Sequence, residues 1–275
     1  MTTLLIVDPQ NDFHDGGSLA VPGANEDALR TAAFIKKNLD KIDNVFVTMD
    51  THHKLHIAHS AFWESGDGSR EPDVFSTIKV SDIDNGVWLP KNRSLVDYCK
   101  SYIEKLEGKG RFQLCIWPEH CIQGSKGHAV TDTIFSALQK WIIANADKSK
   151  CVNYILKGQN CRTEMYSALR AEVPLEDDVS TQLNEVLKNQ VLPASSSSSD
   201  AMTNQLIVCG QAMSHCVNHT LRDIIEGADH DTCNKITLMS DCCSAVSGFE
   251  DAADSFISDM RESGVMVKTS DETII

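Results

Sequence analysis

Leu4-Leu5-Ile6-Val7-Asp8-Pro9-Gln10-Asn11-Asp12-Phe13 sets four consecutive apolar residues against a carboxylate. A short run that is apolar at every position, without polar alternation, suits a strand covered on both faces. Such strands belong to a parallel sheet flanked by helices. The signature returns at Val45–Met49, Gln113–Trp117, Val152–Leu156, Gln205–Cys209, Ile236–Met239 and Val265–Lys268. Segments with helical period separate most of these runs, near Asn25–Lys41, Ser94–Leu106, Ala129–Ala144, Thr181–Asn189, Cys216–Glu226 and Phe249–Ser263. The alternation predicts an α/β fold: one three-layer α/β/α domain over residues 1–275, with a mainly parallel sheet of about six strands. Thr51 to Asn92 reads as a long irregular region. The tract Ser195–Ser199, between Pro193 and Asp200, reads as a mobile surface loop near 193–203, because strand signals resume directly after it.

Bulk composition narrows the class. The 275 residues are 41% hydrophobic, enough for a core that encloses an active site without disulfides. A formal net charge of −14 argues against a nucleic-acid partner. Ten cysteines at irregular spacing, with no CxxC pair, read as reduced thiols in a cytoplasmic protein. The sequence holds no basic leader and no apolar stretch of membrane-spanning length. It also lacks GxGxxG and Walker patterns, so nucleotide hydrolysis and hydride transfer find no support.

In a parallel α/β sheet, ligands bind beyond the C-terminal ends of the strands. Reactive residues cluster at those ends here. Asp8 follows the first strand, Asp50 the second, Trp117 to His120 the third, Lys157 the fourth, and Gly210 to Cys216 the fifth. Cys216 sits in GQAMSHCVNHTLRDI, near the start of an amphipathic helix, where backbone N–H groups favour a thiolate. The alternative is an inert buried cysteine, one of ten. Asp8 reads as a general base or a turn residue, and Lys157 as a charge that keeps Asp8 ionised or as a lysine reaching for solvent. Asp50 and His52, two apart, point the same way and can share a divalent ion, with His120 as a further nitrogen. The competing reading is a histidine-rich surface loop, since His53, His56 and His59 crowd the same stretch. His128, His215, His219 and His230 carry no readable role, and Cys121 and Cys242-Cys243 read as packing or surface residues.

Taken in order, LLIVDPQNDF, VFVTMDTHH, IWPEHC, LKG and VCGQAMSHCV resemble the isochorismatase-like cysteine hydrolase superfamily, and within it most closely the nicotinamidases. The matching stretches span residues 4 to 217. The resemblance implies a catalytic triad of Asp8, Lys157 and Cys216, and metal ligands at Asp50, His52 and His120. It also implies an aromatic pocket that includes Phe13 and Trp117. A non-proline cis peptide before Ala212 would turn the N–H groups of Ala212 and Cys216 into an oxyanion hole. Two departures stand out. The DWHPxxH pattern of the family loses its Trp and Pro here, so a fourth ligand is open between His56 and His59. The chain is also longer than compact nicotinamidases, with extra sequence near 60–110 and around the serine tract.

The implied activity is hydrolysis of nicotinamide to nicotinate and ammonia through a cysteine thioester, within NAD salvage. One divalent ion, zinc ahead of iron or manganese, would be the cofactor. The expected partner is a small amide, with no nucleic acid and no membrane, and the fold is compatible with a homo-oligomer. The alternatives are the same triad acting on another small amide, ureide or carbamoyl compound, a metal-activated water with Cys216 as bystander, or a non-enzymatic binding module.

Overall fold

The computed structural model describes residues 1–109, 112–176, 181, 183, 187 and 204–275. The expected helix over Thr181–Asn189 lies for the most part outside the described residues, and the serine-rich loop near 193–203 lies wholly outside them.

Six strands form the central sheet: β1 (Thr2–Val7), β2 (Asn44–Asp50), β7 (Val152–Lys157), β8 (Gln205–Gly210), β9 (Ile236–Met239) and β10 (Met266–Lys268). Their order is β10-β9-β8-β1-β2-β7, and every neighbouring pair is parallel. All six residues of β1 are buried. Because side chains alternate between faces, both faces of the strand must be covered, as its uninterrupted apolar run requires. The helix Ala24–Lys37 packs on the helix Asp132–Ala144. Trp141 of the latter is fully buried, and its indole N–H donates to the Ile42 carbonyl at 3.2 Å. The helix Glu250–Glu262 meets β10 and the turn after β8. The edge strand β7 is less enclosed, with Tyr154 44% exposed.

One expected strand is displaced. Of Gln113–Trp117, only Leu114–Cys115 (β6) is extended, and it pairs antiparallel with Thr77–Ile78 (β4), away from the central sheet. The place beside β2 is taken by β7, which pairs with it over six residues from Val45↔Val152 to Asp50↔Lys157. The stretch from Thr51 to Asn92 is also more regular than expected. It includes the antiparallel pair β3 (Trp63–Ser65) and β5 (Trp88–Pro90) and a short helix, Val80–Asp84. Trp117 and Ile122 still reach the site, through isolated bridges to His59 and His52.

The strand order reverses between β1 and β8: β2 and β7 continue to one side, β9 and β10 to the other. That reversal opens a crevice at the strands' C-terminal ends, where ligands lodge in folds of this kind. β8 ends there on Gly210, at φ +121°, so close to β1 that a Cβ would fall 2.0 Å from the Val7 carbonyl oxygen. Both the backbone angle and the contact demand glycine. Gly210→Ala should therefore cost about 3 kcal/mol of stability. Urea unfolding followed by far-UV circular dichroism would read this as a lowered midpoint at unchanged slope.

Candidate active site

Three side chains from three strand ends meet in the crevice. Asp8, the first residue beyond β1, is fully buried and held at φ +44°. Its backbone N–H donates to Thr48 Oγ1 at 3.0 Å, and the Thr48 hydroxyl donates to Asp8 Oδ1 at 2.5 Å. Lys157 ends β7 and is 1% exposed. Its Nζ lies 3.0 Å from Asp8 Oδ2, 3.0 Å from Asp50 Oδ1, 3.1 Å from the Met165 carbonyl oxygen and 3.5 Å from Cys216 Sγ. An ammonium taken out of water needs such partners, and here two carboxylates, a carbonyl and a thiol supply them. The strand-end lysine is therefore a buried charge, not a lysine reaching for solvent.

Cys216 sits in a π-helical turn, Met213–Val217, directly ahead of the helix Asn218–Ile225. The Gln211–Ala212 peptide leading into that turn is cis. Burial pushes the Cys216 thiol well above its usual range; Lys157 pulls it back, and the Asp8 and Asp50 carboxylates push it further up. This corrects the expectation of a thiolate favoured by a helix start. Cys216 is 5% exposed, and its burial and the two carboxylates outweigh the Lys157 ammonium, which favours the thiol over the thiolate. Burial also raises the Asp8 carboxyl, with Lys157 acting against that rise. Burial would lower Lys157, but Asp50 and Asp8 more than offset it and hold the ammonium well above its usual range.

A second cluster adjoins the first and shares Asp50 with it. Asp50 Oδ2 lies 3.1 Å from His52 Nε2 and 3.3 Å from His120 Nε2. One nitrogen from each of His52, His59 and His120 lies within 4.8 Å of the others, all buried. In each ring Nδ1 faces a backbone carbonyl: Gly158 at 3.2 Å, Lys54 at 3.3 Å and Pro118 at 2.8 Å. A carbonyl only accepts, so Nδ1 carries the proton; with an ion bound, each Nε2 would be free to offer it a lone pair, the arrangement seen behind metal-bound imidazoles. His59 Nε2 is buried and has no hydrogen-bond partner among the described residues, and burial together with His52 and His120 holds that imidazole down to about 3. At the His59 nitrogen a metal cation fits better than a proton does. His56 does not join the set: its Nδ1 accepts from the Ala58 N–H at 3.2 Å and its Nε2 faces the Thr163 carbonyl at 3.2 Å. Of the two histidines left open in the sequence, it is His59 whose nitrogen lies with those of His52 and His120. Asp8, Asp50 and Cys216 also bring atoms within 4.8 Å of one another, but the Lys157 ammonium already occupies contact distance to all three.

A backbone clamp places the carboxylate that these imidazoles share. Gln10 grips Asp50 from both sides, its amide donating to the Asp50 carbonyl at 2.7 Å and accepting the Asp50 N–H at 2.6 Å. Spacing gave no hint of this, because Gln10 and Asp50 are neighbours only in the folded sheet.

Over the sulfur lies a narrow cavity, lined by Phe13, Trp117, Tyr166, His215, Ala212 and Cys216, with Asp50, His120 and Glu164 at its polar end. Phe13 meets the His120 ring edge-on at 5.6 Å, and the Trp117 indole N–H donates to the Tyr166 hydroxyl at 2.9 Å. His215, which sequence left without a role, packs against Trp117 and Phe249 in the cavity wall, and burial lowers it to about 4. The cavity would therefore present a neutral imidazole near neutral pH. Glu164 and Tyr166 were also missed, since the segment after Lys157 has no periodic signal. A larger cavity of about 660 Å³ lies beyond the end of β7, lined by Gln159, Arg162, Leu169 and Pro174 among others. It does not reach Cys216, so it is not where the sulfur could act.

No family model and no curated protein sequence matches the chain. Solved structures do. A nicotinamidase/pyrazinamidase from Acinetobacter baumanii is 20% identical, with a TM-score of 0.63 over 99% of this chain and 98% of that one. The yeast nicotinamidase Pnc1p is 19% identical, with a TM-score of 0.63 over 98% and 99% of the two chains. A pyrazinamidase of Pyrococcus horikoshii, crystallised in complex with zinc, is 17% identical, with a TM-score of 0.55 over 98% of each. With its six-stranded parallel sheet and the crevice between β1 and β8, the chain has the α/β fold of these nicotinamidase structures.

Proposed function

We propose that the chain is an amidohydrolase that converts nicotinamide to nicotinate and ammonia through a thioester on Cys216. The observation that carries the reading is the meeting of Asp8, Lys157 and Cys216, remote in sequence, beneath an aromatic-walled cavity. A base, a cation and a nucleophile buried together at such cost are hard to reconcile with a passive binding module.

The steps follow from the placement. As the amide enters between Phe13 and Trp117, the Cys216 thiol passes its proton to Asp8 and the sulfur attacks the carboxamide carbon. The carbonyl electron pair moves onto oxygen, which the N–H groups of Ala212 and Cys216 receive. Each such donor is typically worth about 3 kcal/mol of barrier. Collapse of this adduct breaks the C–N bond, and Asp8 returns its proton to the departing ammonia. Water then attacks the thioester, Asp8 takes its proton, and cleavage of the C–S bond frees nicotinate. The proton on Asp8 goes back to sulfur. Throughout, the Lys157 charge compensates whichever anion is present, thiolate or carboxylate.

Asp50, His52, His59 and His120 would hold a divalent ion, zinc ahead of iron or manganese, whose chemistry is to engage the ring nitrogen of a pyridine carboxamide. We place the reaction in NAD salvage in the cytoplasm, in keeping with ten cysteines free of disulfides.

Cys216→Ala should abolish ammonia release from nicotinamide, leaving well under a tenth of the wild-type rate, while substrate still binds by calorimetry. A variant with more activity than that would remove covalent catalysis from the scheme. In a panel of nicotinamide and small ureides, nicotinamide should turn over fastest; the reverse order would retain the triad but overturn the substrate. His59→Ala should lower bound metal and raise KM more than it lowers kcat, whereas His56→Gln should leave metal content near wild type, both read by elemental analysis and steady-state kinetics. Lys157→Met should slow iodoacetamide labelling of Cys216 at neutral pH, followed by peptide mass, because the cation that favours thiolate is gone. Equal labelling rates would reduce the triad to Asp8 and Cys216.

A further inference from the structure

Asp12 has no part in the chemistry above, yet the residue is only 8% exposed and its carboxylate gathers three donors. Oδ2 accepts the Cys121 N–H at 2.7 Å. Oδ1 accepts the Ser18 N–H at 3.1 Å and the Ser18 hydroxyl at 3.2 Å. The approach is made possible by Gly127, where a Cβ would fall 2.0 Å from Asp12 Oδ2. The Asp12 N–H in turn donates to the Gly127 carbonyl at 3.1 Å.

Each tie leads into the site. Cys121 directly follows His120 and sits at φ +47°, a conformation that non-glycine residues adopt only when something holds them there. The Cys121 carbonyl accepts the His52 N–H at 3.0 Å. One peptide segment, fixed at its N–H by Asp12, therefore sets both the start of the His52 backbone and the end of the His120 backbone. On the other side, the Leu19 N–H donates to the Asp12 carbonyl at 3.0 Å, and Leu19 lines the cavity over Cys216.

We propose that Asp12 is a positioning residue for the metal site: its carboxylate fixes the Cys121 backbone, and through it the places of the His52 and His120 imidazoles. The inference rests on the reading of Asp50, His52, His59 and His120 as metal ligands. Groups that orient metal ligands from behind typically change affinity by about 10–100-fold when removed.

The test uses the full chain, with Zn2+ affinity measured by competition against a chromophoric chelator and the ligand field read from the visible spectrum of added Co2+. Asp12→Ala should bind Zn2+ about 10–100-fold more weakly than wild type and shift the Co2+ bands. Asp12→Asn, which keeps one acceptor oxygen, should fall between the two, and at least this near-isosteric variant should unfold cooperatively. Wild-type affinity and spectrum in both variants would overturn the inference and leave the metal reading standing. Weakened binding that appears only together with loss of cooperative unfolding in both would make Asp12 a support of the fold and would also overturn it. A wild-type chain that binds no Zn2+ or Co2+ would overturn the metal reading first, and the inference with it.

Discussion

The buried ammonium of Lys157 is the constraint around which the rest of the site is arranged. Removing a charge of that kind from water costs several kcal/mol even after relaxation, and only close opposite charges repay it. Asp8 and Asp50 stand on either side of it at 3.0 Å. That requirement reaches down into the sheet. Lys157 and Asp50 are direct partners in the β7–β2 register, and Asp8 leaves β1 beside Thr48 of β2. A slip of one residue in the β7–β2 pairing would turn the lysine to the opposite face and leave two carboxylates uncompensated. Strand register and site electrostatics are thus one constraint seen at two scales.

Asp50 gives that constraint a second consequence. Its Oδ1 faces Lys157 and its Oδ2 faces the imidazoles of His52 and His120. Burial opposes its ionisation, but the His52 and Lys157 charges prevail and hold its carboxyl well below the usual carboxylate range. The Gln10 clamp fixes its backbone on both sides, so this shared carboxylate has little freedom to favour either cluster. Cys216 and the imidazole cluster are held at a set separation for that reason.

Much of this was legible from sequence because parallel strands advertise themselves. Short apolar runs located all six central strands closely, and the rule that ligands gather at strand ends led to Asp8, Asp50, Lys157 and Cys216. It failed at Gln113–Trp117, whose composition is strand-like but whose place beside β2 was taken by the longer β7. Periodicity carries no information about which of two good strands wins a position. Nor could spacing separate His56 from His59, since the distinction lies in which ring nitrogen meets a carbonyl. Gln10, Asp12, Glu164 and His215 were overlooked for a related reason: their partners are distant in the chain, and nothing local marks them.

The edge position of β7 bears on how the protein would lose its competence. Asp8 and Cys216 are carried by strands with a neighbour on each side, whereas β7 pairs only with β2 among the described strands. Openings at a sheet margin cost less free energy than openings at its centre. The cation that balances the site is therefore mounted at a margin of the sheet and not at its centre. On gentle warming, that margin would part from β2 while the centre of the sheet stays closed, and Asp8 and Asp50 would face each other without it. Thermal inactivation would then run ahead of thermal unfolding, with durability of function set by one strand's hold on its neighbour.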